Sequence, residues 1–140
     1  MTTVKIPLLL ILLLVAGPLW AEMARTSSPE GAAAYIVSPA DGDTVPGTFT
    51  VRFGLHGMGV APAGTDKAGT GHHHLLVDGK MMPAMDKPLG EDVMHFGGGQ
   101  TETELTLEPG QHTLQLILGD KGHVPHDPPV VSDVVTITVK

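Results

Sequence analysis

The sequence predicts an all-β domain with the architecture of an antiparallel, immunoglobulin-like β-sandwich of about seven short strands. The first observation is alternation: within residues 48–55, Phe49, Val51 and Phe53 point to one face and the intervening polar residues to the other. The second is that glycine- and proline-containing turn signals separate such segments, while no segment has a convincing amphipathic helical period. A small closed barrel is the structural alternative.

The predicted strands follow one another along most of the chain. They cover residues 34–37, 48–55, 72–78, 93–96, 101–107, 111–118 and 130–140. Pro109-Gly110 is a strong turn signal, so the two strands that flank it are predicted to form a hairpin. The long connections are rich in glycine, alanine or proline, and proline cannot donate to a strand ladder.

Residues 1–21 have the three parts of a cleavable secretion signal. Lys5 precedes an apolar run over residues 6–16, and Gly17-Pro18 leads to a predicted cut after Ala21. The run of roughly 10–11 apolar residues is shorter than the ~20 that a spanning helix needs. This length favours a cleavable signal over the alternative, an uncleaved membrane anchor. We expect a signal-peptide helix, a flexible lead-in over 22–33 and the sandwich over 34–140. The mature protein is expected to be periplasmic or secreted, without stable membrane insertion.

Composition narrows the chemistry that this domain can perform. The chain has 15 Asp and Glu against 8 Lys and Arg, a net charge of −7, and loss of Lys5 with the signal makes it more negative. An acidic chain without a basic stripe argues against a nucleic-acid partner. There is no cysteine, which excludes lipoprotein processing, thiolate nucleophiles and thiolate metal ligands.

The segment Gly71–Asp78, GHHHLLVD, carries the most informative pattern. On a strand, His72 and His74 point to one face with Cα atoms about 6.5 Å apart, a spacing at which two imidazoles can converge on one metal ion. Neutral imidazole suits copper and zinc. His73 points the other way, so we interpret it as a packed and hydrogen-bonded residue that supports the site. The alternative is a polar network of histidines that pins the neighbouring loops.

A second cluster, HVPHDPPV, lies on a proline-rich loop that restrains its side chains. It contributes His123 and His126 as candidate ligands, and Asp127 as a carboxylate that could orient a ligating histidine. His95, just before a glycine run, is a further candidate. The predicted metal ligands are therefore His72 and His74, with His95, His123 and His126 as candidates to complete the site.

Methionines form a third cluster in KMMPAMDKP. Thioethers select soft Cu(I), which makes Met81, Met82 and Met85 possible soft-metal ligands. Methionine is also a common filler of irregular gaps, so a packing role is the alternative.

Long motifs identify a resemblance that covers about residues 34–140. The motifs GMGVAPAGT, GHHHLLVD, HFGGGQTE, HTLQLILGD and HVPHDPPV resemble an exported bacterial family, domain of unknown function 4399. The resemblance implies an exported β domain and no particular activity. KMMPAM is not part of that family pattern. SPADGDTV over 38–45 also resembles the opening strand and turn of bacterial immunoglobulin-like domains.

These observations predict an exported binding domain for a transition metal, copper before zinc, rather than an enzyme. The mature chain has no serine in a nucleophile elbow, no P-loop and no dinucleotide fingerprint. One alternative is a protein-interaction module that binds a cell-envelope protein and uses its histidines structurally. Another is a metal-dependent enzyme, which would need an open coordination position.

Overall fold

The computed structural model describes residues 24–140, which form nine β-strands. They are β1 (Ala33–Ser38), β2 (Thr44–Val45), β3 (Thr48–His56), β4 (Gly59–Val60), β5 (Thr70–Val77), β6 (Met94–His95), β7 (Glu102–Thr106), β8 (Gly110–Gly119) and β9 (Val135–Val139). The predicted signal peptide and the cut after Ala21 lie outside these residues. Within the described part of the chain, no helix is long and apolar enough to cross a membrane.

The strands build two sheets, as predicted for a sandwich. A three-stranded sheet has the order β1-β3-β7, and a larger sheet has the order β2-β9-β8-β5-β4, with β6 also paired to β5. All seven predicted strands are present. The sequence analysis missed only β2 and β4, which have two residues each and are too short to show alternation.

The predicted hairpin around Pro109-Gly110 is wrong. β7 pairs with β3 in the small sheet, whereas β8 pairs with β5 and β9 in the large one. The turn instead carries the chain from one sheet to the other, with Gly110 at a φ of 133° that favours glycine. Alternation indicates which side of a strand is buried, but it does not identify the neighbouring strand.

The main core lies between the two sheets. It is built from alternate residues of the long strands, among them Val51, Phe53, Leu75, Leu114 and Leu116. This arrangement confirms the predicted inward face of 48–55, where Phe49, Val51 and Phe53 are all buried.

A second, smaller core covers the other face of the large sheet. Leu76 and Ile117, whose neighbours along the strands belong to the main core, pack here with Leu89 and Val93 from the loop that precedes β6. Val131, from the loop between β8 and β9, packs against them. Both faces of β5 are consequently buried, although one of them carries two histidines.

Part of the lead-in is attached to the domain. The backbone NH of Asp127 donates to Thr26 and that of Ser28 donates to Asp127, at 2.9 and 3.0 Å. Residues 25–28 therefore lie along the loop between β8 and β9, which differs from the expectation of a flexible segment. Composition suggested flexibility because polar and small residues form no core of their own; here they use hydrogen bonds to another loop.

Candidate functional site

Strand β5 brings three consecutive histidines into the protein interior. Its burial is continuous from Gly71 to Leu76 because the main core covers one face and the small core the other. His72 and His74 share the face of Leu76, whereas His73 shares the face of Leu75. The predicted pairing of His72 with His74 follows from this period of two, and their ring centroids are 4.6 Å apart.

His123, from the loop after β8, joins this pair. Its Nδ1 lies 2.9 Å from Nε2 of His72 and 3.4 Å from Nε2 of His74. One nitrogen from each of the three rings lies within 4.8 Å of the other two. We call His72, His74 and His123 the histidine triad. Two of its members are fully buried and the third is half-buried.

The triad has the dimensions of a transition-metal site. Metal–nitrogen bonds to imidazole are about 2.0–2.1 Å, so three nitrogens around one ion would be roughly 3.3–3.6 Å apart. The separation of 3.4 Å between His74 and His123 lies in that range and the 2.9 Å between His72 and His123 lies just below it, so small ring rotations would equalise them. The donor set is also suitable, since imidazole is a ligand for copper and zinc.

Burial keeps the two strand histidines in the neutral form that binds metal. It lowers the pKa of His72 to about 4, with a further lowering from the neighbouring His123 and His95. It lowers the pKa of His74 to about 3, with additional contributions from His72 and His95. Both rings are therefore neutral at pH 7, so neither has to change from imidazolium to imidazole before coordination.

Asp120 holds His123 in place. Oδ1 of Asp120 accepts hydrogen bonds from the backbone NH groups of Gly122 and Val124, at 2.9 and 3.0 Å. The carbonyl of Asp120 accepts the NH of His123 at 2.9 Å. His123 itself has a φ of 66°, in the left-handed region that non-glycine residues rarely adopt. Strain of this kind persists where the surroundings determine the conformation, and it often accompanies a functional site.

The same bonds set the charge state of Asp120. Burial raises the pKa of the Asp120 carboxyl, but hydrogen bonds from Thr26, Gly122 and Val124 lower it more and hold it below its usual value. The resulting negative charge raises the pKa of His72 slightly, against the larger effect of burial. An anionic side chain therefore lies close enough to favour a cation at the triad.

Gly119 provides the space that His74 occupies. An added Cβ at Gly119 would lie 2.5 Å from Cε1 and 3.1 Å from Nδ1 of His74. Gly119 is paired with His72 across the β5–β8 ladder, so it lies directly beside the triad. The sequence analysis singled out neither Gly119 nor Asp120. The Gly119-Asp120-Lys121-Gly122 turn is a signal that could have identified Asp120 as a loop cap.

His95 lies at the solvent side of the triad. It is the cross-strand partner of His74, and its ring meets those of His74 and His123 edge to face, with centroids 4.6 and 5.2 Å apart. Its Nε2 is 2.9 Å from the carbonyl of Gly90, to which it donates. In that tautomer Nδ1 carries the lone pair. The ring is exposed and does not belong to the triad itself.

His126 and Asp127 occupy different places from those expected. His126 is fully buried with Nε2 3.2 Å from the carbonyl of Thr70, and it is not part of the triad. The carboxylate of Asp127 is 63% exposed and pairs with Arg25 at 3.4 Å. The carboxylate that shapes the loop is Asp120 rather than Asp127.

His73 is packed in the core, as predicted, with its ring 5.3 Å from that of Phe53. The hydrogen-bonded part of that prediction is wrong, because neither ring nitrogen has a partner among the described residues. Its neighbours are apolar, and burial lowers its pKa to about 4. Since it points away from His72 and His74, it contributes no hydrogen bond to their orientation.

The methionine cluster lies largely in solvent. Met81 is 83% exposed and Met82 is also exposed, whereas Met85 is half-buried. Only the end of their loop reaches the site, where the NH of Leu89 donates to the carbonyl of His123 at 2.9 Å. Soft-metal ligation by these methionines stays a prediction.

Comparisons with known proteins agree with the motif resemblance. The model of a family described as Domain of unknown function (DUF4399) matches residues 51–140. Among solved structures, the fibronectin(III)-like modules of Clostridium thermocellum CbhA are similar at 13% identity. That match has a TM-score of 0.39 and covers 76% of this chain and 92% of the other. No curated protein matches.

Proposed function

Since this chain belongs to the DUF4399 family, whose description assigns no activity, we propose from its histidine triad that it is an exported domain that binds one transition-metal ion, copper before zinc. The observation that carries the proposal is the convergence of His72, His74 and His123, with one nitrogen of each ring within 4.8 Å of the others. The loop after β8 brings His123 to the strand pair, although 49 positions separate His74 from His123.

The ligand chemistry supports copper over zinc. A site of neutral imidazoles binds divalent first-row metals in an order that rises to copper and falls again at zinc. The absence of thiolates in this sequence leaves imidazole as the strongest available donor. A bound ion would bring Lewis acidity or redox chemistry, while burial holds the rings of His72 and His74 neutral and their strand fixes their directions.

The position of His95 supports a fourth metal ligand. Its hydrogen bond to the Gly90 carbonyl is the kind of outer contact that orients metal-bound histidines and leaves the other nitrogen free to coordinate. Because its ring already contacts those of His74 and His123, a rotation rather than a loop movement would bring Nδ1 to the ion. We therefore assign His95 as the closing ligand on the solvent side.

Metal titration of the exported protein tests the proposal. The full chain would be expressed with export, purified from the periplasm, stripped with a chelator and titrated with Cu(II), Cu(I) and Zn(II) in competition with chelators of known affinity. One ion per chain is expected, and the joint substitution His72→Ala with His74→Ala should abolish binding. His56→Ala is the matched control, since His56 is exposed at the end of β3. Unchanged stoichiometry and affinity in the double variant would refute the site.

The same preparation tests export. The mass of the purified protein should correspond to a chain that begins at Glu22, because the cut is predicted after Ala21. Retention of the full-length mass in the membrane fraction would instead favour an uncleaved anchor.

The separation of 2.9 Å between nitrogens of His72 and His123 favours a second candidate function. That distance also suits a direct hydrogen bond, in which the histidines pin the loop without a metal and the domain serves as an interaction module of the cell envelope. This alternative predicts that copper and zinc leave the thermal unfolding temperature unchanged. It also predicts a specific periplasmic partner that crosslinks equally well to the chelator-treated protein.

A further inference from the structure

We infer that residues 25–28, here called the N-terminal strap, regulate the affinity of the proposed metal site by holding the loop that carries His123. The inference rests on the proposed function and adds a second element to it. The strap makes no contact with the ion in this scheme. It acts through Asp120 and the backbone of residues 125–128, so its residues are positioning residues.

The strap contacts that loop in two places: at Asp120, before His123, and at residues 125–128, after it. Oγ1 of Thr26 donates to Oδ2 of Asp120 at 2.7 Å. Asp120 uses its other carboxylate oxygen for the NH groups of Gly122 and Val124, which flank His123. Thr26 therefore completes the set of donors around the carboxylate that shapes the turn.

The remaining strap residues hold the second half of the loop. Arg25 donates from Nε to the carbonyl of Pro125 at 3.3 Å and from Nη2 to the carbonyl of His126, and it pairs with Asp127. Ser28 donates through Oγ to the carbonyl of Pro128 at 2.7 Å. The two backbone hydrogen bonds that involve Asp127 form an isolated parallel bridge between Ser27 and Asp127, and the side-chain contacts lie on either side of it.

Preorganisation explains why these contacts matter for a metal. His123 has a strained φ of 66°, so a loop released from its constraints would leave that conformation and move the third nitrogen away from the strand pair. A ligand that binds only the ordered loop has its apparent affinity reduced by the fraction of molecules in which the loop is disordered. Strap docking raises that fraction.

Linkage makes the coupling reciprocal: if the docked strap strengthens metal binding by some factor, the metal strengthens strap docking by the same factor. Arg25 supplies a direct probe, because trypsin can cleave after it only when the strap leaves the loop. If opening is fast relative to cleavage, the cleavage rate reports the open population. Zn(II) is therefore expected to slow cleavage after Arg25 in the wild-type protein.

The variants separate hydrogen bonding from packing. Thr26→Val removes the hydroxyl and keeps the shape, while Thr26→Ser keeps the hydroxyl and serves as the matched control. Thr26→Val should weaken Zn(II) and copper binding about ten-fold, since it removes one hydrogen bond to a charged group. The same variant should raise the cleavage rate after Arg25, and Thr26→Ser should remain near wild type in both measurements. Ser28→Ala is a milder change at an exposed contact. Like Thr26→Val, it should weaken metal binding and raise the cleavage rate, but by smaller factors.

The outcomes distinguish this inference from the proposed function. If the wild-type protein binds Zn(II) at the triad but neither its cleavage rate nor the affinity of Thr26→Val changes, the strap has no regulatory role and the metal site stands. If the wild-type protein binds neither copper nor zinc, both proposals are overturned. The coupling is supported if Thr26→Val lowers the metal affinity and raises the cleavage rate while Thr26→Ser keeps both near their wild-type values.

Discussion

Gly119 and His74 are in such close contact across the β5–β8 ladder that any side chain at position 119 would displace the imidazole: an added Cβ would lie 2.5 Å from Cε1 of His74. The histidine triad thus depends on a residue that has no side chain. Leu118 and Ile117, the preceding residues of β8, are fully buried, so the strand cannot easily move away to create room.

Substitution of Gly119 by alanine is therefore expected to damage the site before it unfolds the domain. The new methyl group should rotate or shift His74 and weaken metal binding at least ten-fold, while overpacking costs about 1–3 kcal/mol of unfolding free energy. Chelator-competition titration and urea denaturation at pH 7 measure the two effects. Gly122→Ala is a useful comparison, because the nearest atom to its added Cβ is 3.6 Å away. Equal metal affinity in Gly119→Ala and wild type would contradict the proposed role of His74.

The second prediction concerns the strained conformation of His123. Asparagine tolerates a left-handed φ better than most residues, so His123→Asn should relieve part of the strain. It also removes the ring that contacts His72, a loss of about 1 kcal/mol for one hydrogen bond. We expect the unfolding free energy of the metal-free protein to change by less than about 1 kcal/mol, because the two effects oppose each other.

In the presence of metal the same variant should behave very differently from the wild type. The rise in unfolding temperature that copper or zinc produces should disappear in His123→Asn, since only two of the three ligands remain. Differential scanning calorimetry with and without metal checks this. A variant that is still stabilised by metal to the same extent would show that His123 is not a ligand.

Two of the three triad members could be paired from the sequence for a simple physical reason. His72 and His74 are two positions apart on one strand, and the period of a strand is two, so their common face follows from local geometry. The same reasoning placed His73 beside Leu75 in the core. Local pattern was sufficient wherever the question was which way a side chain points.

The rest of the site depends on contacts between distant segments. The loop motif suggested His123 and His126 equally, but only His123 meets the strand pair, because Asp120 directs the turn and His126 bonds instead to Thr70. Pro109-Gly110 likewise indicated a turn without indicating that it joins two sheets. A period of two carries no information about which strand or loop lies opposite, and neither does loop composition.

The third prediction is a loss of stability in mild acid. Burial lowers the pKa of His73 to about 4, below its ordinary value of 6.5. Between these two values the unfolded chain binds a proton that the folded chain excludes, so the unfolding free energy decreases as the pH falls from about 6.5 to about 4. For His73 alone the loss amounts to roughly 3 kcal/mol at full effect. Urea denaturation of chelator-treated protein at pH 7, 6 and 5 follows the first part of this loss.

His73→Leu isolates this contribution from those of His72 and His74. Both ring nitrogens of His73 are buried without a partner among the described residues, so an apolar side chain of similar size should stabilise the protein at pH 7 by about 1–2 kcal/mol. The gain should increase toward pH 5, since the variant cannot be protonated there. A constant difference across this pH range would show that His73 does not titrate as its burial implies.

The last prediction addresses the fourth ligand. His95 is exposed, and its Nε2 bonds to the Gly90 carbonyl, so its removal should leave the fold intact. His95→Ala is expected to weaken metal binding about ten-fold and to remove one nitrogen from the hyperfine pattern of the Cu(II) electron paramagnetic resonance spectrum. His112→Ala is the control, because His112 bonds to Asp78 and Glu108 instead. If the spectrum of His95→Ala equals that of the wild type, the ion is held by the triad without His95, and its fourth position is open to solvent or to a ligand from another molecule.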